Sequence, residues 1–586
     1  MAGRSIADAK REVIYPIAFS GGRQSDVADI YLADPALRKL AEFFEKKGIG
    51  AIKEEDRDER WHEDWIRYQA EHRLYASLLS PKCYSSLGFQ FDLLKQGRFL
   101  EVIAYFSPAH GYSLQVTFLG LFSILMGANN ALKKEAVAIL ESGGLLAFGA
   151  SEQNHGSDLL ANEFAVERTR LGFLRADGSK YYIGNANSAA MISVLGRMND
   201  ERSRGRRAPP VLFALRPKES KGLGPVRKIR TMGIRSAFVG EFEVKNHELP
   251  ESDLIAEGRQ AWDAVLGAVA LGKFFLGFGS IGICERAFEE AIGHLTRRIL
   301  YGKPVIDMPH IGSATAQAYA RLTAMKLYAY RAVDYVHGGS ATDRRYLLFC
   351  AVQKAKVGAE GVKVISLLAE CVGAKGFESD TYFEMALRDI QLIPRLEGST
   401  HVNLSMAAHF AGKYLGGFDA TLADPKSLIA GEAVTGENSY LMEAPAGGIG
   451  AVTFSDFAGA FAPLNDVANA GLFLEQAKAF SAFFSSGQSA GAAEMTNGLA
   501  TGECLATIAY GQLIAENAAR LDVPRQMISV IFHMLVNDLS VIALSMASSY
   551  RLDAGSRALI EKVVAVPETT EGDWDFVLRR CRGSAD

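Results

Sequence analysis

The sequence predicts a mainly helical protein with a small β domain near its middle, and three textures along its 586 residues carry that reading. Residues 1–145 mix helix formers with clusters of acid and base, as in the run from Ala41 to Ala76, and show little strand alternation. Residues 146–258 change to alternating Val, Phe and Tyr, with an Asp177-Gly178 turn signal and strand-like runs such as VLFALRP and EFEVKN. From Trp262 the helical period returns: Val265, Val269, Leu276 and Ile283 share one face, and mixed charge continues to Tyr414. Residues 259–415 therefore read as a helical bundle. Residues 416–586 read as an additional helical region, opening with a stretch rich in Gly, Pro, Asn and Asp and continuing helically from Ser455 to Val564.

Composition narrows the class. With 48% hydrophobic and 22% charged residues the chain is an ordinary folded globular protein, neither disordered nor collagenous. A net charge of −4 leaves no basic footprint for a nucleic acid. The cysteines are scattered without a CxxC pair, which argues against a disulfide framework or a structural zinc and suits a reducing cytoplasm. The start carries Asp8 and Glu12 and no long apolar core, unlike a secretory or transit leader. The apolar run Met527 to Ala547 is interrupted by His533, Asn537 and Asp538. Its apolar residues recur at helical spacing, so a bundle helix is expected there rather than an integral membrane segment.

No GxxxxGK run is followed by Ser or Thr, as a Walker phosphate loop requires, HExxH is absent, and no metal site is expected. Three segments stand out instead. AFGASEQNHGSDL places Ser151, Glu152, Gly156, Ser157 and Asp158 at the opening of the β region. It is either a polar turn before a strand or a place where hydroxyls and backbone N–H groups hold a phosphate or a flavin edge. LTRRILYGKP closes a long helix with Arg297, Arg298, Tyr301 and Lys303, a placement that the helix dipole alone also favours. In the run Gly373 to Thr400, Pro394 interrupts a helical segment, and Glu397 follows with Gly398, Ser399 and Thr400.

Read in order, these segments resemble the acyl-CoA dehydrogenase family of flavoproteins over residues 41–415. SEQNHGSDL is similar to the family's TEPxAGSD, GSKYYIGNA to GxKxxITNG, RRILYGKP to RxxFGKP, and GAKGF, RD and EGST to GGxGF, RD and EGT. The resemblance implies a helical N-terminal domain, a β-barrel middle domain and a helical bundle, with FAD between them and across a subunit contact. It implies α,β-dehydrogenation of an acyl thioester to the trans-2-enoyl product, with Glu397 as the α-proton base. Flavin contacts carry over to Phe148, Ala150, Ser151, Ser157, Tyr182, Gly184, Arg298, Tyr301, Gly373, Ala374, Ser399 and His401, and substrate contacts to Ser157, Lys273 and Gly398.

Several positions depart from the family pattern. Gly184 stands where a Thr hydroxyl usually contacts flavin N5, Gln153 replaces the motif proline, and Ala374 the second glycine of GGxG. Pro309 replaces a polar adenine contact, and Lys273 an arginine near the acyl entrance. The extra C-terminal region resembles that of very-long-chain dehydrogenases and acyl-CoA oxidases and leads to a homodimer as the expected assembly. The expected partners are acyl-CoA or an acyl-carrier-protein thioester, with an electron-transfer flavoprotein or oxygen as acceptor, in fatty-acid β-oxidation. An oxidase, a monooxygenase or a non-catalytic assembly subunit on the same scaffold are the alternatives.

Overall fold

The computed structural model describes residues 34–169, 172–200, 203–429, 436–443, 452–486, 495–548 and 552–582. The expectations for the first 33 residues, and for parts of the glycine-rich stretch 416–450, lie outside them. The described residues form two compact units, one of residues 39–276 with 436–443, the other of 34–38, 277–429 and 452–582.

The first unit opens with helices α1 (Pro35–Arg57, kinked at Gly48), α2 (Glu63–Glu71) and α3 (Leu74–Leu79). Then come α4 (Leu93–Phe106), α5 (Pro108–Leu125) and α6 (Asn130–Glu141). Their starts follow side-chain chemistry: the Asp92 carboxylate accepts the Lys95 N–H, the Asn129 side chain accepts from Ala131 and Leu132, and Pro108 opens α5. Helix α5 is buried along its whole length, as expected of a helix that is apolar on all sides.

The β region follows as β1 (Leu145–Gly149), β2 (Ala165–Arg168), β3 (Phe173–Gly184), β4 (Ala189–Asn199), β5 (Pro210–Leu215), β6 (Arg227–Lys228), β7 (Val239–Pro250) and β8 (Leu254–Glu257). They form one eight-stranded sheet in the order β6-β7-β3-β2-β4-β5-β8, with β1 parallel to β4. One expectation is corrected here. Asp177-Gly178 is not a hairpin turn, because β3 runs straight through it. The pair marks a bulge in the β3–β7 register, with Gly178 at φ 155° and the Asp177 carboxylate accepting the Asn246 N–H of β7 at 2.7 Å. A Cβ at 178 would lie 2.5 Å from the Phe164 ring, so the strand bends there on a residue without one.

The second unit is helical. It contains most of α7 (Arg259–Arg297), then α8 (Pro309–His337), α9 (Tyr346–Val352), α10 (Gly358–Val372), α11 (Tyr382–Asp389) and α12 (Thr400–Gly416). A π-turn, Gln353–Val357, joins α9 to α10 without a break. The C-terminal region adds α13 (Ala468–Ser485), α14 (Met495–Arg520), α15 (Arg525–Ala547), α16 (Ala554–Ile560) and α17 (Glu571–Cys581). Helix α14 lies on α12 and α8. The approach is close: a Cβ at Gly502 would fall 2.1 Å from the Leu404 carbonyl oxygen. The helix expected over 527–547 is α15, with Ile528, Ile531, Phe532, Leu535, Leu539 and Ile542 buried. Helices α7 and α15 are long and apolar enough to cross a membrane, but most of the apolar stretch of each is buried within the protein.

Candidate functional site

The sequence-selected residues fall into two groups, one in each unit. In the sheet-bearing unit, Phe148 is half-buried on β1, Ala150 is buried just beyond it, and Ser151 begins the polar loop. The Ser151 hydroxyl donates to the Tyr181 carbonyl at 2.6 Å, while the Tyr181 N–H donates to the Ser151 carbonyl at 3.0 Å. The loop is thus tied to β3 from both directions. Ser157 is exposed at its far side, and His155 is buried with Nδ1 3.0 Å from Asp158.

Tyr182 has φ 62° and is 58% exposed, its ring 4.5 Å from that of Tyr181. The left-handed backbone, at a break in the β3–β7 register, turns a large ring outward where strict alternation would not hold it. Asn185 is also left-handed and wholly buried. Its amide donates to the Ser113 carbonyl at 2.9 Å, the Thr117 hydroxyl at 3.2 Å and the Leu146 carbonyl at 3.3 Å. Between them, Gly184 has a physical reason to lack a side chain: a Cβ there would meet Val116 Cγ2 at 2.5 Å and the Tyr112 hydroxyl at 2.9 Å. The space a threonine would fill is taken by α5. Lys273 is buried on α7.

In the helical unit, α7 ends at Arg297, and Arg298 leads into a two-stranded hairpin, Ile299–Leu300 against Lys303–Pro304. Its two turn residues, Tyr301 at φ 52° and Gly302 at φ 78°, both take the left-handed conformation that such a tight hairpin requires. Tyr301 is 95% exposed. Gly373, at φ 67°, stops α10 and begins a 3-10 turn, Gly373–Phe377, on which Ala374 is exposed.

Glu397 follows α11 and a 3-10 turn, Ile390–Leu392. Glu397 and Gly398 are consecutive left-handed residues, at φ 52° and 87°. Glutamate seldom adopts that conformation, which costs of order 1 kcal/mol and is held only by its surroundings. Those surroundings are visible. The Thr400 N–H donates to the Pro394 carbonyl at 3.0 Å, and the Asn403 amide donates to the carbonyls of Gly398 and Ser399, both at 3.0 Å. The Ser399 hydroxyl caps α12 by accepting the Val402 N–H. Just before the turn, the buried Lys354 of the π-turn donates to the Ile393 carbonyl. Glu397 is half-buried with Oε2 inside the protein, and His401 is exposed one turn on.

Sequence reading missed three supports: Lys180, Tyr112 and Lys354. The lysine stood in a quoted motif without a role, and Gly184 was a sign that something else occupied its space. Nothing local marked Tyr112 or the π-turn.

Comparisons with known proteins point in the same direction. Residues 260–411 match the family model described as acyl-CoA dehydrogenase, C-terminal domain. That stretch is similar to the C-terminal domain of the acyl-CoA dehydrogenases. Similar curated proteins include the cyclohex-1-ene-1-carbonyl-CoA dehydrogenases of Syntrophus aciditrophicus and Geobacter metallireducens. The first is 25% identical over 40% of this chain and 56% of its own length, the second 23% over 55% and 83%. Among solved structures, butyryl-CoA dehydrogenase from Megasphaera elsdenii aligns at TM-score 0.58 and 20% identity, over 65% of this chain and 96% of its own. An acyl-CoA dehydrogenase from Bacillus anthracis, complexed with FAD, aligns at TM-score 0.69 and 16% identity over 99% of this chain and 96% of its own. The described residues, C-terminal helices included, have the acyl-CoA dehydrogenase fold.

Proposed function

We propose that the chain is an FAD-dependent acyl-CoA dehydrogenase that converts an acyl thioester to its trans-2-enoyl form. The observation that carries this reading is Glu397, a carboxylate on a strained, hydrogen-bonded left-handed pair, at the position matching the family's base. The residues fit FAD. Ser151 is on a loop tied to β3, Ser157 adds an exposed hydroxyl beside exposed loop backbone, and Tyr182 holds an exposed ring suited to stacking on a flat one. Bound FAD supplies the hydride acceptor for the substrate's β carbon.

The chain's own work is to take the α proton and to hold its partners. Glu397 accepts that proton on its carboxylate, and its rigid setting keeps the oxygens aimed while the thioester binds. Removal of a weakly acidic proton places charge on the thioester oxygen, which backbone N–H groups stabilise. In this reading Arg298, just before the tight hairpin, and Tyr301, at its turn, contact the FAD of a second subunit. The C-terminal helices cover α8 and α12, which favours a homodimer, and sedimentation at tetramer mass would remove that part of the reading.

The test is anaerobic. The flavin-loaded protein is mixed with a panel of straight, branched and alicyclic acyl-CoA thioesters, the flavin absorbance is followed, and reoxidation by oxygen and by electron-transfer flavoprotein is compared. Bleaching by at least one thioester is expected. Glu397→Gln should retain FAD and bleach about 10² to 10⁴ times more slowly. A variant that bleaches at the wild-type rate, or a wild type inert to the whole panel, overturns the reading.

A further inference from the structure

Lys180 and Glu152 form an ion pair of 2.8 Å inside the sheet-bearing unit, with Lys180 1% and Glu152 8% exposed. Burial draws the Lys180 ammonium down to about 8, against the pull of Glu152. Such pairs contribute little net stability, because desolvation offsets the attraction. What this pair does is connect. Lys180 also donates to the Ala150 carbonyl at 3.1 Å, and the Glu152 carboxylate accepts the N–H groups of Glu163 at 2.8 Å and Phe164 at 3.1 Å. Within the loop, Glu152 and His155 exchange backbone hydrogen bonds at 3.1 Å each way. The loop that carries Ser151 and Ser157 is therefore clipped shut at both ends. The clip is rooted in β3 two residues before Tyr182.

We infer that the Lys180–Glu152 pair is a positioning device for FAD, pre-ordering the 150–164 loop so that the cofactor does not have to order it on binding. Pre-ordering raises affinity by removing a conformational cost that binding would otherwise carry. This rests on the proposed function, through the assignment of FAD to that loop.

The experiment measures FAD affinity by flavin fluorescence, alongside thermal stability, in full-length wild type, Lys180→Met and the neutral double variant Lys180→Met/Glu152→Gln. Lys180→Met should lose both stability and FAD affinity, since it strands a buried carboxylate. The double variant should regain stability yet bind FAD at least tenfold more weakly than wild type. Affinity that recovers in step with stability overturns the inference. Hydrogen exchange on wild type gives an independent reading that needs no variant. The amides of Glu152, His155, Glu163 and Phe164 should be protected before FAD is added, and protection that appears only with FAD overturns the inference. A wild type that takes up no FAD overturns the proposed function itself, and this inference with it.

Discussion

In the sheet-bearing unit, Lys180 pairs with Glu152, and His62 stacks on His110 at 4.2 Å, with Glu55 3.5 Å away and joined through Lys47 to Asp64. In the helical unit buried ionisable groups form nets. Arg321 of α8 reaches Glu360 of α10 at 2.6 Å and Asp538 of α15 at 3.0 Å, and Lys356 and Lys363 join the same two carboxylates. Further along α8, Arg331 pairs with Asp334 and with Glu516 of α14, both at 2.7 Å, and with Asp424. Both nets tie a bundle helix to a helix of the C-terminal region. Apolar packing alone would let two smooth helices slide, whereas a guanidinium shared between two carboxylates fixes their register. The contrast separates charge that clips a loop from charge that fixes one group of helices on another.

The largest expected effect follows from cutting a net. Asp538→Leu leaves Arg321, Lys356 and Lys363 around Glu360 alone. Stranding buried charge of that kind costs about 3–5 kcal/mol. Denaturant unfolding should show the loss, and hydrogen exchange should place it in both α8 and α15. A change below about 1 kcal/mol would mean that the net is solvated and does not hold the helices, and the comparison would fail at its stronger side.

Acid acts with opposite sign at two buried sites, one in each unit. Burial, with Lys47 nearby, draws His110 down to about 3, and burial together with His110 holds His62 well below the ordinary imidazole range. The unfolded chain therefore takes up these protons first, and stability at these groups falls as pH drops from about 6.5 toward 3. Asp334 behaves oppositely. Burial raises its carboxyl to about 6 against the pull of Arg331, so the folded state binds that proton first and gains stability as pH falls from about 6 to 3.8. Opening free energies from hydrogen exchange, corrected for the intrinsic rate at each pH from 6.5 to 4, should fall around His62 and His110 while those around Asp334 hold. The cost in the sheet-bearing unit should reach about 2–4 kcal/mol. His110→Gln should flatten the slope there, and a slope that persists in that variant would assign the acid sensitivity elsewhere.

Much of the secondary structure was legible beforehand. The succession of helical, stranded and helical textures follows from side-chain period, and period is what helices and sheets impose. The Pro394-Glu397-Gly398 turn was readable because proline stops a helix and glycine accepts a left-handed turn. Long-range substitutions of space were not readable. Gly184 announced a missing side chain, but that Tyr112 and Val116 fill the room depends on how α5 lies against β3. The bulge at Asp177-Gly178 has the composition of a turn, and only the continuing partner strand shows otherwise. Gly184→Thr puts the first of these to the test. Overpacking against α5 should cost about 1–3 kcal/mol, and additional Val116→Ala should restore part of it. An unchanged unfolding midpoint would mean that α5 yields easily.

The smallest effect sharpens the contrast between nets and local fixings. Helix α17 begins with a capping box, the Thr570 hydroxyl accepting the Asp573 N–H at 3.2 Å and the Asp573 carboxylate accepting the Thr570 N–H at 3.1 Å. Of its own residues only Val577 and Cys581 are buried, so the helix depends on its first turn more than the core helices do. Thr570→Ala should cost about 1 kcal/mol. Because a cap orders only the turn it closes, faster hydrogen exchange should be confined to residues 571–581, with α8 and α15 unmoved. Spread of the effect into those helices would show that α17 belongs to the same cooperative body as the Asp538 net, and the distinction drawn between the two kinds of anchoring would then have to be abandoned for this part of the chain.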